Sequence, residues 1–271
     1  TEIYTLSLHD ALPICGLNRP VPSAAVHVVL VRHGRPETVI DSPTVADPGL
    51  CELGVWQADR LAAWLACEEI DHVVTSPKQR AVQTVEAVAA ARGLTPEVVH
   101  GFDEIDRGSH TYLPTELLPT EGGAYWEKIS QRRYEEIGWD TPEEFRKRVV
   151  AAWDALCRNP PGGRVLVACH GGTIRTILAD VVGNPAAGFR LDYASISRVE
   201  VTAPGDPDGS SDPFCTILGT NGTGHFDAER TAEVGAFRGA ERPGPTTPRR
   251  PMTASSEDRK STRLNSSHVK R

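Results

Sequence analysis

The chain has 271 residues, with 29 Lys+Arg against 36 Asp+Glu and a net charge of −7. That acidic balance argues against a broad binder of nucleic-acid backbone, and no apolar run approaches the roughly 20 residues of a membrane span. Six dispersed cysteines, without CxxC or Cys/His ligand spacing, argue against structural zinc and predict a reduced, cytoplasmic protein with no metal and no cofactor.

Thr1 to Ile14 reads as the translation of a short-read sequencing adapter, so residues 1–25 are expected to be an adapter-derived or disordered leader. Val26 to Val31 is the first predicted strand. Its run Val28-Val29-Leu30-Val31 stops abruptly at Arg32-His33-Gly34, the pattern of a strand buried in a parallel sheet. Residues 32–50 form a loop rich in Pro, Gly and Asp. Glu52 to Cys67 is helical, with Leu53, Trp56, Leu61, Trp64 and Leu65 near a 3.6-residue period. Trp56, Trp64 and Trp153 are expected in the core, as are Cys67 and Cys157. Asp71 to Thr75 is a second strand. Ser76 then reads as an N-cap and Pro77 as the first residue of a helix that runs to about Arg92 and stops at Gly93. Val98-Val99 is a short strand, and 101–124 is irregular.

Thr141-Pro142-Glu143-Glu144 is a capping box opening a helix to about Cys157. Arg164 to Cys169 is a third buried strand, followed by His170-Gly171-Gly172 and a helix from Thr173 to Val182. Ile196 to Val201 and Phe214 to Gly219 complete the strands. Strands alternating with helices predict an α/β fold, a three-layer α/β/α sandwich with a largely parallel central sheet, over 26–225. Residues 226–271 are expected to be a disordered tail, and 258–268 reads as the translation of the opposite adapter. Setting aside 1–14 and 258–271 removes Glu2, Asp10, Asp258 and five basic residues. The remaining 24 basic and 33 acidic residues give −9, so the basic end is no sign of a nucleic-acid partner.

In a parallel sheet the three strand ends open on one edge, where such folds bind ligands. They carry Arg32 and His33, then Ser76 with Arg80 one turn on, then His170 and Gly171 at a helix N-terminus. Two arginines can grip a phosphomonoester bidentately. Backbone N–H groups at the helix start add neutral donors. A neutral imidazole of His33 can serve as nucleophile, with Gly34 permitting a tight turn beside it, and His170 can stabilise charge on the transferring group. The leaving oxygen needs a proton, and Glu104 and Asp106 are the candidate acids. Tyr112, Tyr125 and Trp126 are candidates for lining the substrate pocket.

These pieces resemble the histidine phosphatase (phosphoglycerate mutase-like) superfamily, phosphatase branch, over about residues 26–220. The matching motifs are Arg32-His33-Gly34, Ser76-Pro77-Lys78-Gln79-Arg80-Ala81 with Gln83-Thr84, Glu104-Ile105-Asp106 with Gly108, and His170-Gly171-Gly172. The resemblance implies that His33 is phosphorylated, that Arg32, Arg80 and His170 form the phosphate pocket, and that Glu104 donates the proton. Three departures stand out: Arg35-Pro36-Glu37-Thr38 after Gly34, Cys51 where Thr or Ser is usual, and Gly108-Ser109-His110-Thr111-Tyr112 after the acid. The expectation is a metal-independent phosphatase of a small phosphorylated metabolite. A mutase and a catalytically inactive phosphate-binding module are the alternatives.

Overall fold

Alternation along β1 (Ala25–Arg32) sets the layers. A computed structural model describes residues 25–202 and 212–226 of the chain. In β1, Val28 and Leu30 pack on one side and Val29 and Val31 on the other. From Val28 on, neither face of this strand meets water, which is why Val28-Val29-Leu30-Val31 is a continuous apolar run.

The chain continues through α1 (Glu52–Leu65), β2 (His72–Thr75), α2 (Gln79–Ala90) and β3 (Glu97–Val98). Next come α3 (Leu118–Glu121), α4 (Gly123–Ser130) and α5 (Pro142–Arg158), then β4 (Arg164–Cys169), α6 (Gly171–Val181), β5 (Ile196–Thr202) and β6 (Phe214–Gly222). The strand order is β3-β2-β4-β1-β5-β6. The first four strands in the sequence run parallel, and β5 and β6 are antiparallel additions on one side. Leu61 and Leu65 of α1 and Val85 and Val88 of α2 cover the face carrying Val29 and Val31. Val149 and Trp153 of α5 and Ile174, Ile177 and Leu178 of α6 cover the other. The result is the expected three-layer α/β/α sandwich.

The capping box at α5 forms as the sequence predicts. Thr141 Oγ1 accepts from the Glu144 N–H, and the Glu144 carboxylate accepts from the Thr141 N–H. Thr141→Ala should destabilise the fold by about 1 kcal/mol, a fall of roughly 2–4 °C in Tm, read by thermal unfolding. Cys51, by contrast, makes no side-chain bond at the start of α1.

Four local expectations are corrected. α2 begins at Gln79 with Lys78 at its N-cap, so the helix starts later than the Ser76 cap predicted; the Ser76 hydroxyl accepts from the Lys78 N–H instead. Cys157 is buried, but Cys67 is exposed beyond the end of α1. Trp64 is exposed, whereas Trp153 is core. The body also reaches one residue past each expected boundary. Ala25 opens β1, and Phe226 is buried and stacks on Trp56 with ring centroids 5.5 Å apart. The rest of the expected leader and tail lies outside the described residues. Among the described residues no helix is long and apolar enough to cross a membrane.

Candidate active site

Register along the sheet brings the candidate residues to one edge. Arg32 lies opposite Cys169 and Thr75 opposite Ala168, so β1, β2 and β4 end level. His33 follows directly, its N–H donating to the Cys169 carbonyl at 2.9 Å. Arg32, His33, Arg80 and His170 are all buried, and the two imidazoles meet edge-on with centroids 5.1 Å apart.

The His33 ring is held in one tautomer. Nδ1 lies 2.7 Å from the Gly34 carbonyl oxygen. That oxygen can only accept, so Nδ1 carries the proton and Nε2 presents a lone pair. Burial, then the charges of Arg80 and Arg32, hold His33 well below the usual imidazole range. It is therefore neutral and nucleophilic near pH 7. Gly34 serves through room rather than a special turn: a Cβ there would sit 2.7 Å from the Gly54 carbonyl oxygen.

The arginines are braced and still short of acceptors. Arg32 Nη1 donates to the Leu191 carbonyl at 2.6 Å, and its guanidinium lies 3.8 Å from the centroid of Tyr193. Arg80 Nη2 donates to Asp106 Oδ1 at 3.3 Å, and its guanidinium lies 4.5 Å from the centroid of Tyr112. Arg32 Nε, Arg80 Nε and Nη1, and His170 Nδ1 are buried without a hydrogen-bond partner among the described residues. Buried donors need acceptors, and a tetrahedral oxyanion supplies several at once. Gly171 opens α6 close to Arg32; a Cβ there would lie 3.3 Å from Arg32 Nε.

Glu104 reaches this edge as well. Its Oε2 accepts from the Gly172 N–H at 2.9 Å and its Oε1 from its neighbour Ile105 N–H at 2.9 Å. Burial, followed by the nearby Asp106 carboxylate, raises its pKa, as suits a carboxylic acid that must hold a proton for a leaving group. Asp106, the other candidate acid, is instead the ionic partner of Arg80. Glu104 is wedged against α6: a Cβ on Gly172 would lie 2.3 Å from its Oε1.

Several contributors escaped the sequence reading. Tyr193 walls Arg32 and lies 5.7 Å from the His33 ring, its hydroxyl donating to Glu116 Oε2 at 3.2 Å. Glu116 also pairs with Arg35 at 3.6 Å. Both lie in stretches without pattern. Tyr112 is positioned by paired backbone bonds with Val39, which tie the two irregular loops together. The Tyr125 hydroxyl is bonded to Ser109 and accepts from the Trp139 indole N–H.

The buried histidines also predict a pH dependence of stability. Both His33 and His170 have folded-state pKa values held well below 6.5. The unfolded chain therefore binds more protons as pH falls below about 6.5, and stability drops on acidification, by up to about 1.4 kcal/mol per pH unit for each histidine. Denaturant unfolding between pH 7 and 5 should show this fall, with a shallower slope in His33→Asn.

The model of the histidine phosphatase superfamily (branch 1) matches residues 28–206. The chain belongs to that superfamily. As a histidine phosphatase homologue it is 30% identical over 187 residues to "Probable phosphoglycerate mutase GpmB" of Yersinia pestis (strain Pestoides F), covering 65% of this chain and 85% of the relative. Solved structures of phosphatases share the fold. The mycobacterial glucosyl-3-phosphoglycerate phosphatase aligns over 73% of this chain and all of its own, with TM-score 0.54 and 21% identity. The alpha-ribazole phosphatase from Shigella flexneri aligns over 72% and 96%, with TM-score 0.54 and 22% identity. Phosphoserine phosphatase from Entamoeba histolytica, solved with 3-phosphoglyceric acid, aligns over 74% and 98%, with TM-score 0.52 and 21% identity. At these identities the solved structures speak for the fold.

Proposed function

We propose that the protein hydrolyses a small phosphomonoester through a phosphohistidine at His33. The observation that carries this reading is the pairing of a tautomer-locked, neutral His33 with buried, unpartnered donors on Arg32 and Arg80 and an unpartnered ring nitrogen on His170. The Nε2 lone pair of His33 attacks phosphorus, and the bond to the ester oxygen breaks. Glu104 gives its proton to the departing alkoxide. Water then attacks the phosphohistidine, with the Glu104 carboxylate taking its proton, and phosphate leaves. Arg32 and Arg80 supply the positive charge that the transferring group requires.

The curated relatives favour a second reading, in which the phosphate returns to another position of the same molecule. Product analysis separates the two: free inorganic phosphate supports hydrolysis, an isomerised ester supports the mutase, and neither product across a broad phosphomonoester panel would sink both. Glu104→Gln tests the acid. It should slow release of alcohols of high pKa by about 10²–10⁴-fold and spare nitrophenyl phosphate, whose leaving group needs no proton. Equal loss on both substrates would remove Glu104 from that role.

A further inference from the structure

The four pocket side chains include one whose protonation is fixed from behind. His170 Nε2 lies 2.7 Å from Ser76 Oγ, and both residues are wholly buried. The same oxygen lies 3.3 Å from the Lys78 backbone nitrogen. A hydroxyl has one proton and two lone pairs. The Lys78 N–H can only donate, so it takes a lone pair. The Ser76 proton then needs an acceptor, and among the described residues His170 Nε2 is the one within reach.

We infer that Ser76 is a positioning residue that donates to His170 Nε2 and so holds His170 as the neutral tautomer protonated on Nδ1. The unpartnered Nδ1–H becomes an uncharged donor to the phosphate. The functional consequence rests on the proposed phosphoryl chemistry; the tautomer itself rests on the hydrogen-bond accounting. The opposite neutral tautomer would strand a buried hydroxyl proton and leave His170 with a lone pair on its open nitrogen. An imidazolium would add a third cation beside Arg32 and Arg80, with Lys78 and His33 also close. The carboxylate within ion-pair distance of the ring is Asp103, 3.9 Å from Nε2, whose Oδ1 already accepts from the Glu104 N–H; Asp106 is paired with Arg80, and Glu104 accepts from the Gly172 and Ile105 N–H groups. Burial and the Arg80 charge favour the neutral ring accordingly.

Nitrogen-15 NMR of the ligand-free, histidine-labelled protein near pH 7 tests this directly, with the His170 signals assigned by their loss in His170→Asn. The expected spectrum shows a protonated Nδ1 and a bare Nε2. In Ser76→Ala the Asp103 carboxylate is left as the partner of Nε2, and the proton should move there. The kcat should then fall about 10²–10³-fold, as for loss of one pocket donor. Ser76→Thr, which keeps the hydroxyl, should retain the tautomer and most of the rate. A proton on Nε2 in the unaltered protein, with or without one on Nδ1, overturns the inference, as does an unchanged tautomer in Ser76→Ala. If Ser76→Ala does not fold, the unaltered protein and Ser76→Thr still decide. No turnover is needed, so the spectrum can succeed where the phosphohistidine reading fails, and the reverse.

Discussion

His33→Ala is expected to lower turnover of a phosphomonoester at least about 10⁴-fold, since it removes the nucleophile and with it the two-step route. The fold should survive. The side chain gives up one hydrogen bond, from Nδ1 to the Gly34 carbonyl, a net loss of about 1 kcal/mol. Arg32 stays anchored on Leu191 and Tyr193, and Arg80 on Asp106 and Tyr112. Phosphate or vanadate should therefore still bind the variant. Steady-state kinetics beside anion titration check the pair of outcomes. Loss of both binding and turnover would mean that the pocket had collapsed, and residual turnover within tenfold would mean that His33 is not the nucleophile.

Arg80→Ala carries the second large effect. Arg80 is wholly buried, brings two unpartnered N–H groups to the site and neutralises Asp106. Losing it should reduce kcat/KM about 10³-fold or more, through lost transition-state donors. It should also destabilise the fold by about 3 kcal/mol, because Asp106 is left largely desolvated, with its side chain 11% exposed, and without its cation. The two losses have different sources and can be pulled apart. Adding Asp106→Asn should restore much of the stability and none of the activity. Arg80→Lys keeps the charge and loses the planar fork, so its activity should lie between the two. Chemical denaturation and kinetics on the same four proteins measure this. Recovery of activity in the double variant would show that Arg80 acts by shielding Asp106 rather than by gripping phosphate.

The parts of the site that could be read from sequence share a physical signature. Each buried strand is a continuous apolar run, and a charged or imidazole side chain at its end has no packing reason to be there. Arg32, His33 and His170 announce themselves in that way, and Arg80 follows from its place one turn beyond β2. The sandwich was legible for the same reason, since alternation between short apolar runs and 3.6-period segments prescribes layers.

What stayed hidden depends on contacts between segments far apart in sequence. Ser76-Pro77 has the local chemistry of a helix start, yet α2 begins at Gln79, and the Ser76 hydroxyl also meets His170, 94 residues away. Glu104 and Asp106 are two carboxylates in one loop, and tertiary position separates them: one receives the Gly172 N–H, the other meets Arg80. Tyr193 sits in a stretch without periodicity, and only the return of the chain beside β1 places its ring on Arg32. Phe226 looked like the first residue of a low-complexity tail because its partner, Trp56, lies on α1 at the other end of the body.

The most direct test of the catalytic proposal is to quench the enzyme during turnover of a phosphorus-32-labelled phosphomonoester and to locate the protein-bound label. A label that is stable in alkali, lost in acid, mapped by mass spectrometry to the peptide carrying His33 and absent from His33→Ala is the predicted result. An acid-stable label, a label on another residue, or steady turnover in His33→Ala would contradict it.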